Sequence, residues 1–350
     1  MSLPDLSLVI EFLSAAFAHV GAKLTGLFLS LGTFSLASWF TALCVAVLFL
    51  GFRRQRNRRQ IRLKALVRAL FPRKLLQSPS SAADVCFFLF NFFLAGLLFS
   101  WAIVSYSLVS GTVGEMLVAN FGALPPTSLP KTYAIAMLTV ALFLAYELGY
   151  WIDHYLAHNI PFLWEFHKVH HQAEVLSPLT NFRVHPVDSI VFYNIQAVVM
   201  GITGGLVNYG FGEPLQSFTI AGSNALVLIF TYLVGHLQHS HLWIVFTGVW
   251  GRLFLSPAHH QIHHSTNPAH FNKNLGACLG VWDWLFGTLH VPGKTREKLE
   301  FGVEPKVGNV HGIHEGIVAP VTRAFAVVSP ARLLRAGARG SELKGAADRT

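Results

Sequence analysis

Charge is scarce in this chain. Asp, Glu, Lys and Arg make up 12% of its 350 residues, about half the share of roughly 25% that is usual in soluble domains. The chain is also 53% hydrophobic, with a mean hydropathy of +0.48. That balance excludes an ordinary water-soluble globule and points to a membrane protein. Cysteine is rarer still, with Cys44, Cys86 and Cys278 the only three. They form no CxxC pair, and the first two lie in apolar runs. A disulfide scaffold is thereby excluded, and the three read as small buried hydrophobes. Other absences narrow the field further. There is no HExxH zinc-protease signature, no glycine-rich dinucleotide motif, no HPGG of the cytochrome b5 type and no internal repeat of 20–50 residues. The opening MSLPDLSLVIEF lacks a basic n-region, so a cleaved signal peptide is not expected.

Long apolar runs are what the chain has instead. A helix crossing a hydrocarbon core needs about 20 mostly apolar residues. Residues 34–52, 85–109 and 133–151 meet that need, and residues 187–209 and 215–235 form two more, separated by the turn-rich NYGFGEP. Residues 7–31 carry Glu11, His19 and Lys23 near one face, which suits either a span with a polar seam or an interfacial amphipathic helix. HLWIVFTGVW is too short to cross and is expected at the interface. From Arg53 to Lys74 there are ten Lys/Arg and no acid. Such a block can bind nucleic acid. Directly after a hydrophobic span it points to a cytoplasmic anchor on anionic lipid, so no nucleic-acid partner is expected. With that block inside, alternation of the spans places 154–186 and everything from His236 on the cytoplasmic face as well. The reading is an all-α, multi-span bundle in three parts. Residues 1–80 hold N-terminal hydrophobic helices and the basic linker, 81–320 form the main domain, and 321–350 are a small, polar, basic tail.

The histidines stand out against this background. There are 18, and four groups of them are dense: DHYLAH, HKVHH, GHLQHSH and HHQIHH. Spacings of three and four put such side chains on one helical face. Clustered imidazoles repel when protonated and lose hydration when neutral and buried. A divalent metal offsets both costs, since neutral imidazole is its commonest nitrogen ligand. About ten candidate ligands exceed what one ion takes, so two ions are implied. A structural zinc site needs only about four ligands, often thiolates. A transporter would hold ligands near mid-membrane, whereas these lie at its edge. A nitrogen-rich iron pair suits O2 activation. The lone histidines His19, His270, His290, His311 and His314 read as hydrogen-bonded or interfacial groups.

In order and spacing, HYLAH, HKVHH, VHPVD, QHSH, SPAHHQIHH and NLGACLGVWDWLFGT resemble the fatty acid hydroxylase/sterol desaturase superfamily over roughly 145–290. The resemblance implies a transmembrane helical base with a cytoplasmic, histidine-rich helical cap, and two non-haem irons that activate O2 to hydroxylate or desaturate a lipid. It implies as ligands His154 and His158, then His167, His170 and His171, then His239 with His236 as companion, and finally His260, His263 and His264. His259 looks like an extra histidine beside the last group, and His185 like a supporting residue. Glu147 and Asp283 are expected to orient ligands from behind, and His241 is left out. Three positions depart from the family pattern. Tyr155 follows His154 where arginine is usual, Glu147 replaces an aspartate, and Trp284 stands where arginine is common.

The expected activity is oxidation of an unactivated C–H bond of a lipid by O2. Hydroxylation is the first reading and desaturation the next. A non-catalytic membrane metal-binding or transport protein is the alternative of another class. Two Fe ions are the expected cofactors, O2 is the co-substrate, and zinc is able to occupy the same imidazoles. Without HPGG or a dinucleotide motif, electrons are expected from a separate donor protein. The expected location is a bacterial inner membrane, with the active site on the cytoplasmic face.

Overall fold

The structure is a computed structural model that describes residues 6–220, 222–304 and 308–329. Most of the expected tail, residues 330–350, lies outside the described residues. Among the described residues, five helical stretches are long and apolar enough to cross a membrane: Leu6–Leu29, Leu36–Arg56, Pro79–Phe121, Lys131–Asn159 and Pro186–Phe211.

The first stretch is helix α1 (Leu6–Leu29), which has no buried residue. Helix α2 (Leu36–Arg56) begins where Ser35 accepts a hydrogen bond from the Ser38 amide, satisfying one of the four free N–H groups of a helix start. The basic segment follows as two short helices, α3 (Leu63–Leu70) and α4 (Arg73–Leu76). It folds back onto the bundle, where Leu66 joins Ala42, Ala46 and Leu50 of α2 and Leu237 and Leu242 in one core cluster. Its other face leaves Ile61, Leu63, Val67 and Phe71 exposed between the cations.

The expected single span 85–109 is a longer and broken path. It comprises α5 (Pro79–Leu89), a π-turn at Phe90–Ala95, α6 (Gly96–Phe99) and, after a break at 103–105, α7 (Tyr106–Phe121). A break inside a membrane exposes backbone polar groups that lipid cannot satisfy. Asn194 meets that need, because its amide donates to the Ala102 carbonyl (2.9 Å) and its Oδ1 accepts from the Val104 amide (3.0 Å).

Helices α8 (Lys131–Asn159) and α10 (Pro186–Phe211) pack antiparallel, with Ala134, Leu138 and Leu142 against Phe211 and Leu215. Between them runs the short α9 (Pro161–His171). On α10, Gly201, Gly204 and Gly205 face Val109, Tyr106 and Val113 of α7 so closely that a Cβ at any of them would collide. Small residues of this kind let helices approach in lipid, where apolar burial alone gives no drive to associate.

The second limb of the expected hairpin, 215–235, is corrected by the structure. Only α11 (Ala225–Leu233) is helical there, and nine residues reach about 14 Å, roughly half of a hydrocarbon core. The chain returns from Gly212 through an extended stretch and a two-stranded turn, β1 (Thr219–Ile220) and β2 (Ser223–Asn224). The turn lies against the first third of α8: the Phe218 amide donates to Thr139 Oγ1 and the Asn224 amide group to the Thr139 carbonyl. The apolar length of 215–235 was legible, but Gly212, Glu213 and Pro214 follow the end of α10, and the chain returns as an extended stretch before α11 begins. The chain still comes back to the end where α8 finishes.

That end carries a cap of short elements: α12 (Gly248–Leu253), α13 (Pro257–His263), α14 (Val281–Leu285) and α15 (Ala319–Val327). The HLWIVFTGVW segment is divided. Leu242 and Trp243 are buried in the cap, Trp243 against Ala258 and Ile262, while Val249 and Trp250 are exposed.

Candidate metal centre

Nine histidines converge under the cap in two adjacent groups. The first holds His154 and His158 from α8, His167 and His171 from α9, and His263 from α13. The second holds His170 from α9, His239 after α11, and His260 and His264 at α13. Within each group the nitrogens lie within 4.8 Å of one another. Helical spacing makes the division. The i, i+4 pairs His154/His158 and His167/His171 point into the first group, and His170, one position off that face, turns into the second. Helix α13 repeats the device, sending His263 to one group and His260 and His264 to the other. The groups touch where His171 stacks on His264, ring centroids 4.5 Å apart.

Most of these rings are anchored from behind in the first group. His154 Nδ1 donates to the Leu275 carbonyl (2.8 Å), His263 Nδ1 to the Lys273 carbonyl (2.9 Å) and His167 Nδ1 to Asp188 Oδ2 (3.1 Å). A neutral imidazole that gives its Nδ1 proton away keeps a lone pair on Nε2. The Nε2 atoms of His154, His158, His167, His171 and His263 are all buried and without a hydrogen-bond partner. Buried polar atoms are rarely left so. In the second group the Nε2 atoms face one another directly: His170 to His239 at 3.0 Å, His239 to His260 at 2.8 Å and His260 to His264 at 3.1 Å. Nitrogens about 2.1 Å from one cation sit roughly 3.0–3.4 Å apart, so this cluster has the dimensions of a coordination sphere. Both groups fit a metal ion.

Electrostatics agree. Burial, and then the neighbouring imidazoles, hold His170, His171, His260 and His264 well below the usual histidine range, and push His239 and His263 down to about 3. Such rings are neutral, as metal ligands must be. His167 differs. Burial pulls it down, but the charge and hydrogen bond of Asp188 outweigh burial and raise it.

The remaining sequence candidates fall elsewhere. His236 is outside both groups, contrary to the expectation from GHLQHSH. Its Nε2 lies 3.0 Å from the Thr33 carbonyl and 3.1 Å from Ser38 Oγ, and its ring stacks on Trp39 at 4.4 Å. The cause is the short 3-10 turn at Gly235–Leu237, which turns His236 away from His239, so helical spacing does not apply there. His259 spends both nitrogens in the cap, accepting from Ser256 at Nδ1 and reaching the Gly251 carbonyl through Nε2 (2.9 Å). His185 caps α10 by accepting from the Val187 amide and reaches the Ile317 carbonyl. His241 contacts the Ala69 carbonyl at 2.7 Å.

Glu147 and Asp283 act one bond further back than expected. Glu147 Oε2 accepts from the amides of Cys278 and Leu279, and Asp283 accepts from those of Leu275 and Gly276. They fix the 275–279 loop, whose Leu275 carbonyl holds His154. Sequence reading missed Asp188, although it sits in the VHPVD stretch, three residues past His185 and at the first turn of α10. It also missed the buried pair of Arg183 and Asp84 (3.4 Å). Arg183 Nε donates to the Val169 carbonyl (3.0 Å), in the middle of HKVHH.

A cavity of about 740 Å³ opens from both groups down between the helices. His154, His167, His170 and His239 line its upper end, and Phe92, Phe99, Tyr146, Met200 and Phe230 stand among its lower walls. The features define a class: a membrane-embedded helical protein with a capped polyhistidine centre above an apolar cavity.

Known proteins narrow that class. Residues 139–288 match the family model for Fatty acid hydroxylase. Ornithine lipid hydroxylase of Rhizobium tropici is 27% identical over 222 residues, covering 63% of this chain and 59% of its own length. Alkylglycerol monooxygenase of Danio rerio is 27% identical over 167 residues, 47% of this chain and 33% of the relative. Cholesterol 25-hydroxylase of Homo sapiens is 26% identical over 175 residues, 49% and 58%. The chain therefore spans between a third and three fifths of the length of these relatives. No solved structure matches it. Over its histidine-bearing part, residues 139–288, the chain is therefore similar to the fatty acid hydroxylase family and to these lipid hydroxylases.

Proposed function

We propose that this protein is a membrane-bound lipid hydroxylase. One observation carries the reading: two groups of buried imidazoles, with lone pairs unsatisfied by the protein, stand at one end of a cavity with many apolar walls between the helices. The proposed ligands are His154, His158, His167, His171 and His263 for one iron and His170, His239, His260 and His264 for the other. Irons bound there would supply O2 activation for hydroxylation of a C–H bond. The overall change consumes a C–H bond, O2, two electrons and two protons, and gives an alcohol and water. A separate donor protein would deliver the electrons.

The residues of the chain contribute position and exclusion. Asp188 and the carbonyls of Leu275 and Lys273 hold the ring protons of three ligands, fixing which nitrogen faces inward. Glu147 and Asp283 hold the loop that supplies one of those carbonyls. Phe92, Phe99 and Phe230 give the lipid an apolar bed and keep water from the reacting carbon. Residues 81–320 would form the catalytic domain. Residues 1–80 would supply the anchor, with Arg53–Lys74 seated on anionic lipid and the exposed Ile61, Leu63, Val67 and Phe71 entering the interface. This basic segment packs beside the residues that follow His239, at the end of the bundle where the histidines lie. The positive-inside rule then favours the cytoplasmic face, in a bacterium that of the inner membrane.

The test is reconstitution of the iron-loaded protein in liposomes with a chemical reductant and O2, followed by mass spectrometry of the lipids. A gain of one oxygen is the expected product. A loss of two hydrogens would make the protein a desaturase, and neither change, with no O2 consumed, would sink the oxygenase reading.

A further inference from the structure

One acidic side chain at the roof of the cavity has no task in the scheme above. Asp153 directly precedes His154 on α8 and lines the same cavity as His154 and His167. It is 93% buried, its relative exposure being 7%. Its Oδ1 has no hydrogen-bond partner. The other carboxylate of the roof, Asp188, is engaged by His167. Lys23, the lysine of the cavity wall, lies by Phe92 on the far membrane helix, its Nζ 5.5 Å from that ring. A buried carboxylate with a bare oxygen is costly unless something donates to it, and the space it faces is the space for substrate.

We propose that Asp153 is the polar anchor of the substrate. Its free oxygen accepts a hydrogen bond from a hydroxyl or ammonium group of the lipid. Asp153 and His154 are consecutive, so their Cα atoms are about 3.8 Å apart. Both side chains line the same cavity, so a group held by Asp153 lies at the end of the cavity where the histidines stand. The substrate class follows: a lipid oxidised next to its donor-bearing polar end, its hydrocarbon running down past Tyr150, Tyr146 and Met200. A plain acyl chain oxidised in mid-length would press methylenes onto a bare carboxylate. This inference rests on the lipid-hydroxylase reading, and its test is independent of turnover.

The full chain loaded with zinc, which has no redox chemistry, is the material for the test. Equilibrium dialysis compares two pairs of labelled probes: 1-O-hexadecylglycerol against its dimethyl ether, and hexadecylamine against hexadecyltrimethylammonium. In at least one pair the native protein binds the free form about tenfold or more tightly than the capped form, the scale of one charge-assisted hydrogen bond. Asp153→Ala abolishes that preference while the capped probe binds as before. Asp153→Asn keeps an acceptor oxygen and loses the charge, so a surviving preference names a hydroxyl and a lost one names an ammonium. Equal binding of free and capped forms by the native protein in both pairs overturns the anchor, as does a preference that survives in Asp153→Ala. If Asp153→Ala fails to fold, Asp153→Leu, of similar size and without an acceptor, is read in its place by the same criterion. Failure of the iron-loaded protein to oxidise any lipid would sink the hydroxylase reading and leave this binding result standing by itself.

Discussion

The two histidine groups are built differently. In the first, three rings are tied from behind to Leu275, Lys273 and Asp188. In the second, the outer nitrogens of His170, His239 and His264 are buried and have no partner. The inner nitrogens of the second instead face each other at 2.8–3.1 Å. The fold orients rings of the first group in advance, whereas an ion in the second group would have to set ring orientation itself. Partners behind a ligand are worth about 10- to 100-fold in metal affinity. The first site is therefore expected to hold its metal more tightly.

Ligand removal gives the largest effect. His170→Ala takes one of the four proposed ligands from the second group, and His263→Ala one of the five proposed for the first. Either is expected to abolish turnover, and His170→Ala to lower iron by one per chain in elemental analysis. Two irons retained with full activity in both variants would reject the assignment. Chelation tests the asymmetry itself. Iron should leave in two phases, the second group first, and a single phase would remove the distinction. Asp188→Asn sharpens it further. Loss of the carboxylate behind His167 should weaken the first site by about 10- to 100-fold, bringing the two phases together. A variant whose phases stay as far apart as in the native protein would show that Asp188 does not set the difference.

Acid probes the metal-free protein. His239 and His263 are pushed down to about 3 in the fold, against about 6.5 for an unfolded histidine. Between those values the unfolded chain binds more protons than the folded one, so stability is full above about pH 6.5 and falls as pH drops through that window. Thermal unfolding of the metal-free protein should show a Tm that is level near neutrality and declines below about pH 6.5. A Tm that rises on acidification would contradict neutral, buried rings.

Much of this was legible in the sequence because it depends on local periodicity. HKVHH and HHQIHH lie on helices, where i+3 and i+4 fix direction; His167, His170, His171, His260, His263 and His264 reach the two groups, while His259, four residues before His263, is held by Ser256 and Gly251 instead. The spans 34–52, 133–151 and 187–209 were legible from apolar length for the same reason. What escaped depends on contacts distant in the chain or on irregular backbone. The extended return after Gly212 is held by Thr139, some eighty residues away. The break at 103–105 is satisfied by Asn194. The role of Leu275 and Lys273 lies in carbonyl groups, which every residue carries and no residue type signals. Asp153 and Asp188 drew no reading from the sequence, since their place at the cavity depends on α8, α9 and α10 being brought together.

His236 provides the smallest and most discriminating perturbation. It stands in a dense histidine run three residues before His239, and the family resemblance makes it that residue's companion ligand. In the fold its Nε2 engages Thr33 and Ser38, and its ring lies flat on Trp39. His236→Phe keeps an aromatic ring against Trp39 and removes the hydrogen bond that joins α2 to the turn before His239. The expected cost is about 1 kcal/mol, the net worth of one buried hydrogen bond. Iron content should stay at the native value and the two chelation phases should keep their order. Loss of one iron would return His236 to the ligand set and show that the 3-10 turn at Gly235–Leu237 rearranges when metal binds. An unchanged iron count with a slightly lower Tm would confine its role to holding the first helices against the cap. The difference between the two groups would then depend only on the residues behind their nine rings.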